Sequence, residues 1–236
     1  MKHIIDAIGI EPYYTELDGS GVIYCADCMD ILPKIPEKSI DLVVTDPPYS
    51  IGTTSTGHKG SWVDNNLINP FFKILRDELF RILKDKGELY INTDWRTYPF
   101  LFPIFIDKFR IPNCIVWDYE WIKAGSHYRF SYELIIYANK KEGQKRKFSA
   151  SERDVWRIAP INFTGDKNHP AEKPIDLIVK MINNSSVEPD IIFDPFLGSG
   201  TTAVAAKQLG RKYIGIEMTE KYCEITVQRL AQGILI

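Results

Sequence analysis

Apolar residues along the chain follow two different periods. Four short runs, Val22–Tyr24, Ile40–Thr45, Ile191–Asp194 and Tyr213–Glu217, are apolar or β-branched at nearly every position and bounded by turn residues or charges. Continuous runs of this kind predict strands buried on both faces of a parallel sheet. Three further strands are predicted at Glu88–Ile91, Ile111–Trp117 and Tyr132–Tyr137. Spacing of i to i+3 and i+4 instead predicts helices over Asp27–Leu32, through Phe71, Phe72, Leu75, Leu79 and Leu83, and over Ile175–Ile182, Thr201–Leu209 and Glu220–Gln232. Gly87 stands where a helix-capping glycine belongs. A helix around residues 98–109 contains Pro99 and Pro103, which blur its bounds.

Strands alternating with helices predict an α/β fold, a doubly wound, Rossmann-like, mostly parallel sheet with helices on both faces. The 236 residues suit a single domain, 1–236, with one inserted region. Residues 1–20 read as a leader ending in the turn Asp18-Gly19-Ser20-Gly21. Residues 50–66 are polar and rich in Gly, Ser and Thr, a loop longer than about 12 residues, and such loops are usually functional. Residues 139–168 are polar and basic with few apolar positions, and read as the insertion.

Composition narrows this little. A hydrophobic content of 44% and a charged content of 25% exclude wholesale disorder. No window approaches the roughly 18 apolar residues of a membrane span, and the N-terminus does not read as a secretory signal. A soluble, cytoplasmic protein with no membrane partner is expected. The net charge of −2 does not by itself favour nucleic acid. Charge is concentrated locally, in Lys140, Lys141, Lys145, Arg146 and Lys147, followed by Arg153 and Arg157. Taken alone, such a run suits a solvated loop. Cys25 and Cys28 form a C-x-x-C without a second pair of ligands nearby, so free thiols are expected and no metal.

Two segments carry candidate chemistry. In Asp194-Pro195-Phe196-Leu197-Gly198-Ser199-Gly200-Thr201 a strand enters a glycine turn and then a helix, whose N-terminal N–H groups face any ligand there. Glu217 ends the next strand, about 20 residues on, where dinucleotide folds place the carboxylate that takes ribose hydroxyls. The third glycine of the pyrophosphate fingerprint is missing, so a nucleoside cofactor without pyrophosphate, such as S-adenosylmethionine, fits better than NAD. A turn that merely packs helix on strand would look similar.

Asp46-Pro47-Pro48-Tyr49 also follows a buried strand. Two prolines stiffen the segment and remove two donors, leaving carbonyls that only accept. A carboxylate, a rigid carbonyl and an aromatic face suit a planar ring bearing an NH2 group. A strand closed by a rigid turn accounts for the segment equally well.

Together the two segments resemble the amino-methyltransferases of DNA, which act on adenine N6 or cytosine N4. Asp46-Pro47-Pro48-Tyr49 is similar to their catalytic motif and Phe196-Leu197-Gly198-Ser199-Gly200-Thr201 to their cofactor motif, in the order of the permuted β group. His169-Pro170-Ala171-Glu172-Lys173-Pro174 resembles that group's His-Pro-Thr-Gln-Lys-Pro element, departing at Ala171 and Glu172. Ile23-Tyr24-Cys25-Ala26-Asp27-Cys28 resembles its adenosine-contacting strand end.

The resemblance implies a seven-stranded sheet ending in an antiparallel pair, with S-adenosylmethionine as cofactor. Cofactor contacts are implied at Asp27, Cys28, Asp46, His169, Lys173, Asp194, Pro195, Phe196, Gly198, Ser199, Gly200, Thr201, Thr202, Glu217 and Met218. Catalysis is implied at Asp46, Pro47, Pro48 and Tyr49. Double-stranded DNA is the implied partner. Target recognition falls just before the His-Pro element, which turns the basic residues of 139–168 into phosphate contacts. His58 and Lys59, with Trp62, make the 50–66 loop a candidate lid over a flipped base, and Arg129–Glu133 a candidate pocket wall. The resemblance also admits a homodimer and a cognate restriction endonuclease.

The implied reaction is direct methyl transfer to adenine N6. Asp46 and the Pro47 carbonyl accept both amine hydrogens, freeing the nitrogen lone pair and stabilising the positive charge that develops. The base must leave the helix to be reached. Cytosine N4 is the nearest alternative, with Asp at the first motif position leaning to adenine. RNA or a protein Gln as substrate, and a non-catalytic nucleotide-binding module, stand further off.

Overall fold

The computed structural model describes residues 1–48, 65–123, 127–140, 149, 151–161 and 172–232. The chain opens with helix α1 (Lys2–Ile8), closed by Gly9 in the left-handed region (φ 63°). There follow β1 (Tyr14–Thr15), β2 (Gly21–Cys25), α2 (Cys28–Ile31), β3 (Ile40–Thr45), α3 (Asn65–Ile82), β4 (Leu83–Thr93) and α4 (Tyr98–Phe105). The second half comprises β5 (Arg110–Lys123), β6 (Phe130–Asn139), β7 (Val155–Arg157), α5 (Ile175–Ser185), β8 (Ile191–Asp194), α6 (Thr201–Gln208), β9 (Lys212–Glu217) and α7 (Glu220–Ala231).

Nine strands among the described residues form one sheet in the order β1-β2-β9-β8-β3-β4-β6-β5-β7. Seven of them are the expected seven. The other two are short edge strands of two and three residues, β1 inside the presumed leader and β7 inside the presumed insertion. From β2 to β4 all neighbours run parallel, and β6 lies antiparallel between β4 and β5. That is the antiparallel pair the resemblance implied.

Side chains alternate across the sheet as strand geometry requires. Tyr24, Val43, Leu89, Ile136, Phe193 and Ile214 point into a core capped by α1 to α4. Ile23, Val44, Tyr90, Ile135, Ile192 and Tyr213 point into a second core capped by α5 to α7. Both faces are therefore covered, which is why the central strands read as unbroken apolar runs rather than alternating ones.

The connection from β3 leads through α3 to β4, and that from β8 leads through α6 to β9, in opposite directions along the sheet. Between β3 and β8 the winding reverses, and a crevice opens beyond the C-terminal ends of the two strands. Open α/β sheets bind their ligands at such a switch point.

Three local readings are corrected. Residues 2–8 are helical because Ile4 and Ile8 bury one face fully. Gly87 lies within β4 and caps nothing; Leu83, one turn beyond Leu79, is buried as a strand residue, and periodicity cannot distinguish the two. The segment Asp118–Ser131 is largely a continuation of the β5–β6 ribbon, paired as far as Lys123 and Phe130.

Candidate active site

Asp46-Pro47-Pro48 leaves the end of β3 at the switch point, and β3 is held from both sides there. Thr45 Oγ1 donates to Asp194 Oδ1 at the end of β8 (3.0 Å), and Asn92 Nδ2 on β4 donates to the Thr45 carbonyl (3.1 Å). Both bonds are buried, so the strand end cannot shift without losing them. Asp46, Pro47 and Pro48 line one cavity of about 520 Å³ together with Asp194, Phe196, Gly198, Ser199, Thr201, Thr202 and Glu217. The two candidate motifs are thus walls of one cleft.

The glycine bend is built around Asp194, which is 3% exposed. Its carboxylate takes three donors: Thr45 Oγ1, the Phe196 N–H at 3.0 Å and Thr202 Oγ1 at 2.7 Å. Burial nonetheless dominates and pushes the carboxyl up to about 7, against the three hydrogen bonds. Gly198 and Gly200 both take left-handed backbone (φ 55° and 84°). A Cβ at Gly200 would stand 2.3 Å from Thr226 Cγ2, whereas one at Gly198 would meet nothing within 4 Å. Gly198 is therefore required by its conformation, and its outer side opens on space a ligand can fill.

Glu217 closes the bend by accepting from the Gly198 N–H (2.9 Å) and the Thr219 N–H (2.7 Å). Arg229 of α7 secures it from behind, donating to the Ser199 carbonyl at 2.6 Å and pairing with Glu172 at 3.0 Å. Burial works to lower the Arg229 pKa, and Glu172 opposes this.

Lys173 is buried, and its ammonium bridges two carboxylates, Asp46 Oδ2 at 2.7 Å and Glu133 Oε2 at 3.1 Å. Burial alone would favour the neutral amine, but Asp46 and Glu133 outweigh it and hold Lys173 charged well above its ordinary range. Glu133 is itself fixed by the Tyr119 hydroxyl (2.6 Å). The floor of the cleft is therefore a carboxylate–ammonium–carboxylate row, with Lys173 contacting the catalytic candidate directly.

A second cavity of about 310 Å³ shares Pro48, Phe196 and Glu217 with the first and is otherwise lined by Asp27, Cys28, Pro195, Met218, Phe71 and Ile216 among others. Asp27 caps α2 by accepting from the Met29 N–H (2.9 Å). Cys28 is buried, and that burial, with Asp27 beside it, pushes its thiol up to about 12. Phe196 and Phe71 meet with ring centroids 6.1 Å apart. The pocket offers aromatic and aliphatic faces with two carboxylates at its rim.

Among the expected residues, Gly200 acts as the N-cap of α6. Tyr49, His58, Lys59, Trp62, Lys141, Lys145, Arg146, Lys147 and His169 lie outside the described residues. Lys140 is not brought to the cleft. It follows Asn139, which pairs with Glu88 and Arg110 at the far end of the sheet, and its ammonium donates to the Leu83 carbonyl (2.7 Å) and lies over the Phe80 ring (4.6 Å). Arg153 and Arg157 flank or belong to the edge strand β7, Arg157 standing 3.8 Å from Asp118. Glu133, placed by sequence only in a pocket wall, and Thr45, Asn92, Glu172 and Arg229 emerge as site residues from long-range contacts.

The comparisons with known proteins agree with this geometry. The N6/N4 family, described as DNA methylase, matches residues 40–228. The DNA adenine methyltransferase YhdJ of Escherichia coli (strain K12) is 31% identical over 255 residues, spanning 94% of this chain and 86% of that protein. The type II methyltransferase M2.MboI of Moraxella bovis is 27% identical over 248 residues, spanning 93% and 91%. The solved PvuII DNA methyltransferase, cytosine-N4-specific, shares the fold with a TM-score of 0.79 at 22% identity, covering 94% of this chain and 89% of that one. The M1.HpyAVI–SAM complex does so at 0.67 and 23%, covering 88% and 98%. With the family matched along most of its length, and Asp46 and the glycine bend facing one cleft, the chain belongs to the N6/N4 DNA methylases.

Proposed function

We propose that this chain transfers a methyl group from S-adenosylmethionine to the exocyclic N6 amine of adenine in DNA. The single observation that carries the reading is the shared cavity of Asp46 and the Gly198–Thr202 bend. The residues fit the cofactor. Apolar faces from Phe71, Phe196 and Ile216, with Asp27 and Glu217 at the rim, suit a nucleoside. Asp46 and Glu133 share the single Lys173 ammonium while Glu172 is paired with Arg229, which leaves the main cavity, with Glu217 at its edge, a negative balance that suits a cation. When bound there, S-adenosylmethionine supplies a methyl group on a sulfonium.

The chain's own part is to prepare the amine. Asp46 and the Pro47 carbonyl accept its two hydrogens, which withdraws the nitrogen lone pair from the ring and stabilises the charge that appears on it. Lys173 holds Asp46 Oδ2, and Glu133 with Tyr119 holds Lys173, so the carboxylate is oriented before the base arrives. Such preorganisation avoids reorientation during the reaction. Asp46 needs no strong basicity, because the methylated ammonium is acidic enough to lose its proton afterwards. Adenine is favoured over cytosine by the Asp of the first motif position and by the name of the YhdJ relative.

Asp46→Ala should abolish transfer of labelled methyl to DNA while leaving S-adenosylmethionine binding largely intact. Digestion of the product to nucleosides should return N6-methyl-2′-deoxyadenosine. Full activity of the variant would end the role given to Asp46, and N4-methyl-2′-deoxycytidine would replace adenine by cytosine as the target base.

A further inference from the structure

Beyond Thr93 and Asp118, at the same end of the sheet as Asp46, apolar side chains stand in solvent. Trp121 is 64% exposed, Ile122 59%, Tyr128 91%, Tyr132 44% and Trp95 51%. Four of the five belong to the β5–β6 ribbon, whose base is part of the cleft: Tyr132 pairs with Asp118, and the next residue, Glu133, holds Lys173. The ribbon carries a bulge between Asp118 and Lys123, with Glu120 in the left-handed region (φ 54°) and its N–H taken by Asp118 Oδ1 (2.9 Å). Successive residues of a strand face opposite ways, yet Trp121 and Ile122 are both exposed. The ribbon has left the two packed layers, so among the described residues these side chains belong to neither core.

Two guanidinium groups stand beside them, among the exposed Glu120 and the half-buried Asp94, which lies 3.6 Å from Arg96. The Arg96 guanidinium lies 5.4 Å from the Trp95 ring and 5.5 Å from the Phe130 ring, and Arg129 is exposed on the same ribbon. Aromatic rings interleaved with guanidinium groups stack on nucleobases and neutralise phosphates. A two-stranded ribbon also matches the width of a DNA groove. A second copy of this chain is the poorer occupant, because a two-fold contact through this tip would bring Arg96 and Arg129 towards their own counterparts.

Resting on the reading of the chain as a DNA base methyltransferase, we propose that the β5–β6 ribbon is the wedge that enters duplex DNA and fills, with Trp121 and Ile122, the gap left by the extruded target base. Extrusion gives up stacking and pairing, and apolar side chains inserted between base steps offset that kind of cost. Placing the wedge on β5, the strand paired with the one that carries Glu133, couples insertion to the cleft floor: the ribbon that opens the helix also positions Lys173 beneath Asp46.

The test uses the full chain and a duplex oligonucleotide carrying the site mapped by sequencing modified bases in DNA from cells expressing it. Trp121→Ala should lower methyl transfer to the matched duplex by about tenfold to a hundredfold, the equivalent of one lost stacking contact. Trp121→Phe should retain most of the rate. On the same duplex with the base opposite the target removed, where extrusion is easier, Trp121→Ala should approach wild type, which also proves it folded. Equal loss on both duplexes, or no loss on the matched one, overturns the wedge. A fall in sedimenting mass with unchanged transfer overturns it in favour of a dimer contact. Absence of any transfer by the wild type removes the underlying enzyme reading and the wedge with it.

Discussion

Asp194 is almost fully buried, accepts three hydrogen bonds and has its carboxyl pushed up to about 7 by that burial. The unfolded carboxyl titrates near 3.8, so the folded chain binds the proton more tightly. The resulting stabilisation is complete below pH 3.8 and is lost as pH rises through about 7. Its upper bound is about 4 kcal/mol, from roughly three pKa units at about 1.4 kcal/mol each. Asparagine at this position keeps the geometry: Oδ1 still accepts from Thr45 and Phe196, and the amide donates to Thr202 Oγ1. Asp194→Asn should therefore flatten stability between pH 4 and pH 8 in urea titrations, leaving the variant at least as stable as wild type at pH 8. An unchanged pH profile would show that Asp194 is ionised throughout. Sequence flagged this residue as the start of the bend, yet its charge state follows from burial in the folded sheet, which outweighs its bonds to Thr202, Phe196 and Thr45, the last 149 positions away in the chain.

At the level of elements, legibility tracked burial. The central strands β2, β3, β8 and β9 were readable because two covered faces leave few polar positions, most of them at strand ends. Helix α1 was missed because only Ile4 and Ile8 mark it fully, and β7 because three residues carry no period. The same locality explains the site. Asp46, Gly198 and Glu217 stand in contiguous signatures, whereas Arg229 touches Ser199 from 30 positions on and Glu172 from a different loop, contacts no local spacing encodes. With the Arg229 and Glu172 side chains 17% and 6% exposed, the pair lies in surroundings where losing one partner is costly. Arg229→Ala should destabilise the fold by about 2–4 kcal/mol, read as a lower urea midpoint, with Arg229→Lys between the two. A midpoint equal to wild type would mean that α7 does not secure the bend.

Across the whole molecule, the cleft joins strands from both halves of the sheet, and a ligand bound there binds only the folded state. S-adenosylhomocysteine, which resembles the cofactor but carries no methyl to transfer, should raise the unfolding free energy by about 2.7 kcal/mol at about a hundred times its Kd. Hydrogen exchange should slow at the C-terminal ends of β2, β3, β8 and β9 and leave β5 and β7 unaffected. Uniform slowing, or none, would count against binding at the switch point. The Thr45–Asp194 bond also has a consequence in time. Its partners are 149 positions apart, and Arg229 arrives later still to brace Ser199. Synthesis must run past α6 before either motif has its opposite wall. Fragments cut short of α7 should accordingly lack a braced bend, and a chain still being made should stay inert until that helix has docked.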